Sequence, residues 1–483
     1  MTKFLMFQGT SSHVGKSILT TALCRIFFRQ GRRVCPFKAQ NMALNSFVTA
    51  DGLEMGRAQV AQAEAANLVP RVEMNPVLLK PTGNQTSQVI INGLPVGVMS
   101  AAQYHQGYSL QAFEAVKAAL KKLSAEFDTL VIEGAGSPAE VNLKANDIVN
   151  MRVAKFLNAP VILVADIDRG GALASLVGTL ELLDDDERDL VKGLVINKFR
   201  GDVNLLLPAV DFLEKKTSKP VLGIVPFIEK LGIDDEDSVS LDEKNSSGGE
   251  ISVAVIRLGK ISNFTDFDSL AGESDVKLFY ATKPDELDAA DVIILPGSKN
   301  TSEDLIWLRT NHFAEKILLC AAQGVPVVGI CGGFQMLGEK IFDPLKTESN
   351  HLELDGLKLL PIETTFSAEK FTRQITLPEI DFEFLGSRIV GKNLCGYEIH
   401  AGESNLRGQK IIAAGNVLGT YVHGIFDNDD FRRNFLNAVR LKKNLEPLES
   451  TRNFRAQKQK NYDRLAEIVS QSLNMNLLEE ILC

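Results

Sequence analysis

The chain has 483 residues, which is long enough for two domains that each bury a sizeable core. Hydrophobic residues make up 45% and charged residues 23%, so disorder is disfavoured, and the formal net charge of −9 argues against a dedicated nucleic-acid-binding protein. From the pattern of the first residues we expect neither a leader nor an apolar segment of membrane-spanning length, and the six cysteines form no CxxC pair. We therefore expect a cytoplasmic protein without membrane partners, disulfides or structural zinc.

The first half of the chain alternates short apolar runs with helical patterns. The runs are FLMF (4–7), RRVCPF (32–37), TLVIEGAG (129–136), APVILVAD (159–166), VKGLVINKF (191–199) and KPVLGIVPF (219–227). This rhythm is typical of βαβ units. We therefore predict that residues 1–233 form an α/β domain with a doubly wound parallel sheet.

A phosphate-binding loop is predicted directly after the first strand. Gly9 and Thr10 open it, and Gly15, Lys16 and Ser17 close it before a helical pattern begins. Such a turn points backbone N–H groups at phosphate oxygens, while the lysine adds a cation and the serine a hydroxyl for Mg²⁺. The usual G-x4-GK[ST] spacing would put the first glycine where Thr10 stands. A βα turn that binds nothing is the alternative, and the GKS ending favours ATP binding.

Further nucleotide contacts are predicted at two strand ends and one turn. Glu133 ends TLVIE, where a carboxylate would lie beside phosphates and metal, or would be only a buried or capping carboxylate. Asp51 is a second metal candidate, although a DG pair is commonly just a turn. Asn197 and Lys198 follow the strand GLVI, where they would bind an adenine edge or simply form an exposed strand end.

The second half repeats the α/β rhythm. The acidic residues 234–250 are predicted as a linker, residues 251–440 as a second α/β domain, and residues 441–483 as a C-terminal helical segment packed on that domain. The strand-like runs after the linker are ISVAVIRL (251–258), DVIILPGS (291–298) and VPVVGICGG (325–333).

A cysteine and a histidine of this half predict a glutaminase. Cys331 stands in a G-x-C-x-G turn between a strand and a helix, whose N-terminus would favour the thiolate. His423, in GTYVHGIF, would be its base, and Gly297, Ser298 and Gly332 would offer backbone donors to the oxyanion. A lone cysteine or histidine is more often structural, and LPGSKNT could be an ordinary turn. The combination in this order is more specific.

With these sites, further motifs spread over nearly the whole length resemble the cobyric acid synthase family. The motifs are KAQNMALNS (38–46), GLEMGRAQ (52–59), MNPVLLKPTG (74–83), EGAGSPAEVNL (133–143), DIVNM (147–151), ADIDRGG (165–171), INKFRGD (196–202) and CGYEIHAGES (395–404). The resemblance implies a domain similar to dethiobiotin synthetase, joined to a class I glutamine amidotransferase α/β domain.

The resemblance also implies the reaction. Enzymes of this family use ATP, Mg²⁺ and glutamine to amidate four carboxylates (b, d, e and g) of adenosylcobyrinic acid a,c-diamide, which gives adenosylcobyric acid. The nucleophile would be Cys331 and the general base His423. Broader class I amidotransferases carry a glutamate two positions after this histidine, where Ile425 stands here, so the group that orients the base stays unassigned.

The chemistry sets an expectation for coupling between the domains. A carboxylate is a poor acyl acceptor, so ATP would first convert it to an acyl phosphate, and ammonia from glutamine would have to arrive unprotonated by a protected path. Two alternatives stay open. One is a cobyrinic acid a,c-diamide synthase, and the other is a regulatory loop ATPase that carries a degenerate glutaminase module.

Overall fold

The computed structural model describes residues 2–83, 85–229, 231–234, 241, 248–406, 408–449 and 452–482. It separates into two compact units. Unit 1 comprises Met1–Ala43, Glu54–Ile233 and Lys458–Cys483, and unit 2 comprises Leu44–Leu53 and Asp234–Gln457. Most of the predicted linker, 234–250, lies outside the described residues. Within the described ranges, no helix combines the length and apolarity that a bilayer crossing requires.

The first half of the chain contains twelve described strands. They are β1 Lys3–Gly9, β2 Val34–Lys38, β3 Gln40–Met42, β4 Ser46–Val48, β5 Glu54–Gly56, β6 Val77–Gly83, β7 Thr86–Ile91, β8 Leu94–Ser100, β9 Thr129–Glu133, β10 Val161–Asp166, β11 Val191–Phe199 and β12 Val221–Pro226. Six of them form one parallel sheet in the order β12-β11-β10-β1-β9-β2. These six are the apolar runs predicted as strands, so the prediction of a parallel α/β domain is confirmed.

The sheet of unit 1 is buried because helices cover it. The interior residues of β1, β9 and β10 are almost fully excluded from solvent, as expected for a parallel sheet covered on both faces. The helices of this half are α1 Lys16–Arg29, α2 Arg57–Ala65, α3 Ala101–Gln103, α4 Ser109–Glu126, α5 Met151–Leu157, α6 Ala172–Leu182, α7 Asp185–Leu190 and α8 Leu207–Thr217. Parallel strands place their carboxyl ends at one edge, where β1 and β9 present the predicted phosphate-binding residues.

The C-terminal helices correct the predicted domain organisation. Residues 441–483 were expected to pack on the second domain, but residues from Lys458 onward belong to unit 1. Tyr462, Leu465, Val469 and Leu473 recur at helical spacing and join the core of α1 and the central sheet, so burial of this apolar stripe places the segment there. The last three helices of the chain are α13 Asp429–Lys442, α14 Phe454–Ser472 and α15 Met475–Leu482.

Unit 2 is built on a second mainly parallel sheet. Its strands are β13 Ile251–Ile256, β14 Ile261–Ser262, β15 Val276–Ala281, β16 Val292–Leu295, β17 Gly297–Ser298, β18 Val327–Ile330, β19 Lys340–Phe342, β20 Glu353–Asp355, β21 Glu363–Phe384, β22 Ser387–Ser404, β23 Ile411–Ala414 and β24 Val417–Thr420. The six-stranded sheet has the order β15-β13-β16-β18-β24-β23, and only β23 runs antiparallel. The predicted second α/β domain is therefore confirmed.

The helices and the long hairpin of unit 2 complete its fold. The helices that precede α13 are α9 Asp268–Ala271, α10 Thr301–Thr310, α11 Phe313–Ala322 and α12 Gly332–Leu337. Strands β21 and β22 pair as an antiparallel hairpin, which the sequence did not predict.

Residues Leu44–Leu53 lie in unit 2 although their neighbours on both sides lie in unit 1. The predicted domain 1–233 is thus wrong for this stretch. Residues Leu44–Leu53 contact the rest of unit 2 at two points. The backbone N–H of Ser46 donates to Asn263 (3.0 Å), and the carbonyl of Gly52 accepts from Thr372 (2.7 Å).

Candidate active sites

The loop between β1 and α1 depends on two glycines. Gly15 precedes α1 with φ of +97°, and a Cβ atom there would lie 2.1 Å from Asn197 Nδ2. A Cβ atom on Gly9 would lie 2.9 Å from Lys16 Nζ. The N–H of Thr10 donates to Val164 O (2.9 Å), so Thr10 continues the strand pairing. Gly9, and not Thr10, is the residue that the loop packs against closely. The loop can therefore form with threonine at the position usually held by glycine.

Lys16, Ser17 and Glu133 meet at the carboxyl edge of the sheet. The Ser17 hydroxyl donates to Glu133 Oε1 (2.8 Å), and Lys16 Nζ donates to the carbonyls of Ser11 (3.1 Å) and Gly136 (3.2 Å). These are the residues that the sequence predicted for phosphate and metal binding. The structure brings them together.

Two partners of Glu133 escaped the sequence reasoning. Lys38 Nζ forms a buried ion pair with Glu133 Oε1 (2.8 Å), and Gln62 Nε2 donates to Oε2 (2.6 Å). Lys38 and Glu133 end neighbouring strands in register. The signal was available, since Lys38 begins KAQNMALNS directly after the run RRVCPF and parallel strands share an edge. Removing one partner of such a buried pair costs about 3–5 kcal/mol.

Asn197 and Lys198 brace the phosphate loop. Asn197 is buried and donates to Val14 O (2.8 Å), while Lys198 Nζ donates to His13 O (2.6 Å) and pairs with Asp166 (2.9 Å). The alternative of an exposed strand end is therefore wrong for Asn197. An adenine contact is not among these interactions and stays a prediction.

Asp51 lies in a turn of segment 44–53. It belongs to unit 2, where its carboxylate accepts a hydrogen bond from the Thr49 hydroxyl in the turn that leads to Leu53. Its use as a metal ligand stays a prediction. The DG pair thus forms a turn, as its alternative interpretation held.

Cys331 occupies a strained turn between β18 and α12. Its φ of +52° lies in the left-handed region, a conformation that costs about 1–3 kcal/mol for a residue with a side chain and is concentrated at functional sites. The thiol lies 3.4 Å from Ile399 O, and the Cys331 N–H donates to Thr420 O (2.9 Å). A Cβ atom on Gly333 would lie 2.0 Å from Leu295 O, so the turn requires glycine beside the cysteine.

His423 is fully buried and oriented by a carboxylate that the sequence reasoning missed. Its Nδ1 lies 2.7 Å from Asp266 Oδ2, and Asp266 Oδ1 accepts the N–H of Gly424 (2.9 Å). Asp266 lies in a short 3₁₀ turn, Phe264–Phe267. Asp266 is therefore the group that orients the histidine, which the sequence left unassigned because Ile425 stands where broader class I amidotransferases carry a glutamate.

The electrostatics of this pair favour a charged imidazole. Burial opposes the imidazolium, but the nearby charges of Asp266 and Cys331, which also hydrogen-bond the ring, outweigh that penalty and raise the pKa of His423 to about 10. A thiolate and an imidazolium stabilise each other in such a site. Cys331 and His423 are thus brought together as predicted.

The predicted oxyanion turn lies beside the same two residues. A Cβ atom on Gly332 would lie 2.9 Å from Ser298 N, and one on Gly297 would lie 3.2 Å from His423 Cε1. The Ser298 hydroxyl donates to Asp304 and accepts from Asn300 N (3.0 Å), which orders the turn. Gly297, Ser298 and Gly332 are therefore close to the nucleophile. Their use as oxyanion donors stays a prediction.

A polar network lines the region next to Cys331. Gln335 on α12 accepts from the Thr301 hydroxyl (3.0 Å) and donates to Tyr421 (3.2 Å). His400 stacks on Tyr421 with ring centroids 3.9 Å apart, and burial lowers its pKa to about 4, so it is neutral near pH 7. The sequence reasoning quoted the motif that contains His400 without assigning it a role.

Known proteins resemble the chain over its whole length. Residues 252–431 match the model of a CobB/CobQ-like glutamine amidotransferase domain, and residues 5–240 match a CobQ/CobB/MinD/ParA nucleotide binding domain. A cobyric acid synthase of Carboxydothermus hydrogenoformans is 51% identical, with 100% of both chains covered. Those of Desulfitobacterium hafniense and Moorella thermoacetica are 50% and 49% identical, covering 99% and 100% of this chain and 97% and 98% of the relatives.

Proposed function

Because this chain belongs to the cobyric acid synthase family, we propose that it amidates the four peripheral carboxylates (b, d, e and g) of adenosylcobyrinic acid a,c-diamide. It is a glutamine amidotransferase ligase of cobalamin biosynthesis, with small-molecule substrates and a nucleotide-binding domain. The observation that carries the glutamine-hydrolysing half of the proposal is the Cys331, His423 and Asp266 arrangement, which matches the demands of amide hydrolysis. The choice of acceptor rests on the relatives.

The first half-reaction takes place in unit 2. Cys331 Sγ attacks the side-chain carbonyl carbon of glutamine, and the N–H groups near Ser298 and Gly332 stabilise the oxyanion. His423, held at Nδ1 by Asp266, protonates the departing nitrogen, which leaves as ammonia. Water then hydrolyses the glutamyl thioester with His423 as base, and glutamate is released.

The second half-reaction belongs to unit 1. A carboxylate oxygen of the corrin attacks the γ-phosphorus of ATP, ADP leaves, and ammonia then displaces phosphate from the acyl phosphate to form the amide. Lys16 would exchange its bonds to Ser11 and Gly136 for bonds to phosphate oxygens. The loop N–H groups before α1 would add neutral donors.

The residues around Ser17 suit Mg²⁺. Its hydroxyl and the Glu133 carboxylate are hard oxygen ligands already 2.8 Å apart at the end of β9, and such ligands are the ones that Mg²⁺ prefers. Mg²⁺ would supply neutralisation of phosphate charge. Lys38 and Gln62 would hold the Glu133 carboxylate toward it.

Neither alternative function is favoured by a specific observation. A degenerate glutaminase would have no need of a strained cysteine, a buried histidine and an orienting aspartate in one place. A cobyrinic acid a,c-diamide synthase would share this geometry, so the acceptor must be tested directly.

The test is an amidation assay on the full chain. Adenosylcobyrinic acid a,c-diamide, ATP, Mg²⁺ and glutamine are supplied, and we expect a product that carries four added amides by mass spectrometry. Cobyrinic acid is offered in a parallel reaction. Amidation of cobyrinic acid at two positions, with the a,c-diamide left unchanged, would instead identify the alternative synthase.

A further inference from the structure

Segment 44–53 of the sequence packs within unit 2 close to His423. Its residue Phe47 lies against Tyr397 with ring centroids 5.2 Å apart, and Gly52 O accepts a hydrogen bond from Thr372 (2.7 Å). Gln374 also donates to Val48 O. The segment includes the end of KAQNMALNS, a motif that the proposed reaction has not used.

The segment fixes the side chain of Asn263. The Ser46 N–H donates to Asn263 Oδ1 (3.0 Å), and since a backbone N–H can only donate, this bond assigns the orientation of the amide. The other end, Nδ2, then lies 3.4 Å from His423 Nε2 as a packing neighbour, because the charged imidazole has no lone pair there to accept a hydrogen bond. Asn263 is buried and has φ of +52°, so both its backbone and its side chain are constrained.

The segment also holds the ring that lies against the imidazole. Tyr397 stacks on His423 with centroids 5.2 Å apart and an interplanar angle of 19°. The Tyr397 hydroxyl donates to Ser46 O (3.2 Å). Ser46 therefore contacts two different neighbours of the histidine through its N–H and its carbonyl.

These contacts restrict a motion that Asp266 alone would allow. Asp266 and Cys331 hydrogen-bond the edge of the imidazole, whereas Tyr397 packs on its face and Asn263 lies beside Nε2, so these two neighbours add a restraint on tilting that the hydrogen bonds alone do not give. A misplacement of about 1 Å in a catalytic group can cost about 100-fold in rate. Contacts that keep His423 correctly oriented should therefore increase the rate of glutamine hydrolysis.

We propose that segment 44–53 is a positioning element of the glutaminase, which holds Asn263 and Tyr397 against His423. The inference rests on the proposed function, in which His423 is the acid–base group for Cys331. It gives the end of KAQNMALNS a role in glutamine hydrolysis, although the motif lies in the half of the sequence that binds the nucleotide.

Three variants of the full chain test the proposal. Tyr397→Phe removes the hydroxyl and keeps the ring, Ser46→Pro removes the N–H that orients the amide, and Asn263→Ala removes the neighbour of Nε2. For each, we expect kcat for glutamine hydrolysis to fall about tenfold and KM for glutamine to stay within about twofold, because the changes act on the orientation of His423. Amidation with added ammonia should persist.

A fourth variant gives a pH readout that a purely structural role would not move. In Asn263→Asp, a carboxylate can still accept the Ser46 N–H but adds a negative charge beside His423. Among the described residues, the other charged or titratable neighbours of His423 are Asp266, Cys331, Tyr397 and His400. The added charge favours the imidazolium, so the pH profile of glutamine hydrolysis should move to higher pH by about one unit. Asn263→Ala should show no such upward shift.

Matched controls are available in unit 2. Tyr280→Phe deletes a hydroxyl on β15. Asn453→Asp adds a charge at an exposed residue whose side-chain oxygen can still accept the Ala456 N–H, so both variants should hydrolyse glutamine at the rate of the unchanged protein. Circular dichroism and thermal melting check that every variant folds.

The outcomes separate this proposal from the proposed function. Unchanged kcat in Tyr397→Phe and Asn263→Ala, with an unmoved profile in Asn263→Asp, would overturn the positioning role while glutamine hydrolysis by the parent chain stands. Failure of the parent chain to hydrolyse glutamine, with MgATP and the corrin acceptor supplied, would overturn the proposed function itself.

Discussion

The phosphate site of unit 1 and the thiol site of unit 2 hold their reactive groups in different ways. In unit 1, Lys16 is bonded to two carbonyls of the protein, and Glu133 takes donors from Ser17, Lys38 and Gln62. In the proposed reaction these internal bonds would be exchanged for bonds to phosphate and Mg²⁺. The nucleotide would therefore complete the site.

In unit 2 the reactive groups are arranged by contacts within the protein. Asp266 holds His423, and the Cys331 backbone is bonded to Thr420 and Gln335 on either side of the turn. Orientation here comes from buried protein contacts, which is the electrostatic preorganisation that speeds bond cleavage. Substitutions in unit 1 should therefore affect the binding of the nucleotide and the neutralisation of charge on its phosphates. Substitutions in unit 2 should affect the rate of glutamine cleavage.

The largest expected effect tests whether the two sites act separately. We expect Cys331→Ala to lower glutamine-dependent amidation at least about 1,000-fold, because no other group replaces the thiolate, while amidation with added ammonia persists. Cys320→Ala, a buried cysteine on α11, is the matched control and should keep glutamine use. Loss of ammonia-dependent synthesis in a folded Cys331→Ala protein would contradict the separation.

The next effect lies in unit 1. Lys16→Ala should lower both glutamine-dependent and ammonia-dependent amidation by about 100- to 1,000-fold, since the cation that stabilises the transferring phosphoryl group is removed. Lys121→Ala, exposed on α4, should change neither rate. Steady-state assays of ADP release measure this. Normal ammonia-dependent amidation in Lys16→Ala would show that the loop does not serve the transfer.

A smaller effect, with a pH dependence, tests preorganisation in unit 2. Asp266→Asn should lower kcat for glutamine hydrolysis about 10- to 100-fold, because the imidazole loses its charged partner. Activity that needs the imidazolium is lost as pH rises through its pKa of about 10. Removing the carboxylate lowers that pKa, so the alkaline limb should move to lower pH.

Asp430→Asn, exposed at the start of α13, is the control for Asp266→Asn and should leave the pH profile in place. An Asp266→Asn protein whose alkaline limb coincides with that of the parent would show that Asp266 does not set the charge of His423.

The sequence predicted the parts of both sites that are local. The strand, the Gly9–Ser17 loop and the helix follow one another directly, and the same holds for β18, Cys331 and α12, so short-range rules on glycine turns and helix starts were enough. The six strands of the first sheet were found for the same reason. Alternation of apolar runs and helices is a local pattern.

What the sequence did not predict depends on distant contacts. Asp266 and His423 are 157 positions apart in the sequence. The segment NFTDFDS, which contains Asp266, has the composition of an ordinary polar turn and gives no sign of this contact. Hairpin β21–β22 was missed because most of its residues are at least partly exposed, which leaves little apolar alternation. Segment 44–53 and the C-terminal helix joined units that chain order did not suggest, since only packing decides where an apolar stripe is buried.

The smallest expected effect asks how far the phosphate loop is itself held in place before the nucleotide binds. Asn197→Ala removes the bond to Val14 O and leaves an unfilled space beside Gly15, so the loop should sample other conformations. A lost hydrogen bond of this kind is worth about 0.5–1.5 kcal/mol, which corresponds to a rise of about 2- to 10-fold in KM for ATP. Glutamine KM should not change. Asn204→Ala, which removes an exposed amide bonded to Asp202, is the matched control. An unchanged KM for ATP in Asn197→Ala would mean that the loop needs no brace and that phosphate alone orders it, which would widen the contrast between the two sites.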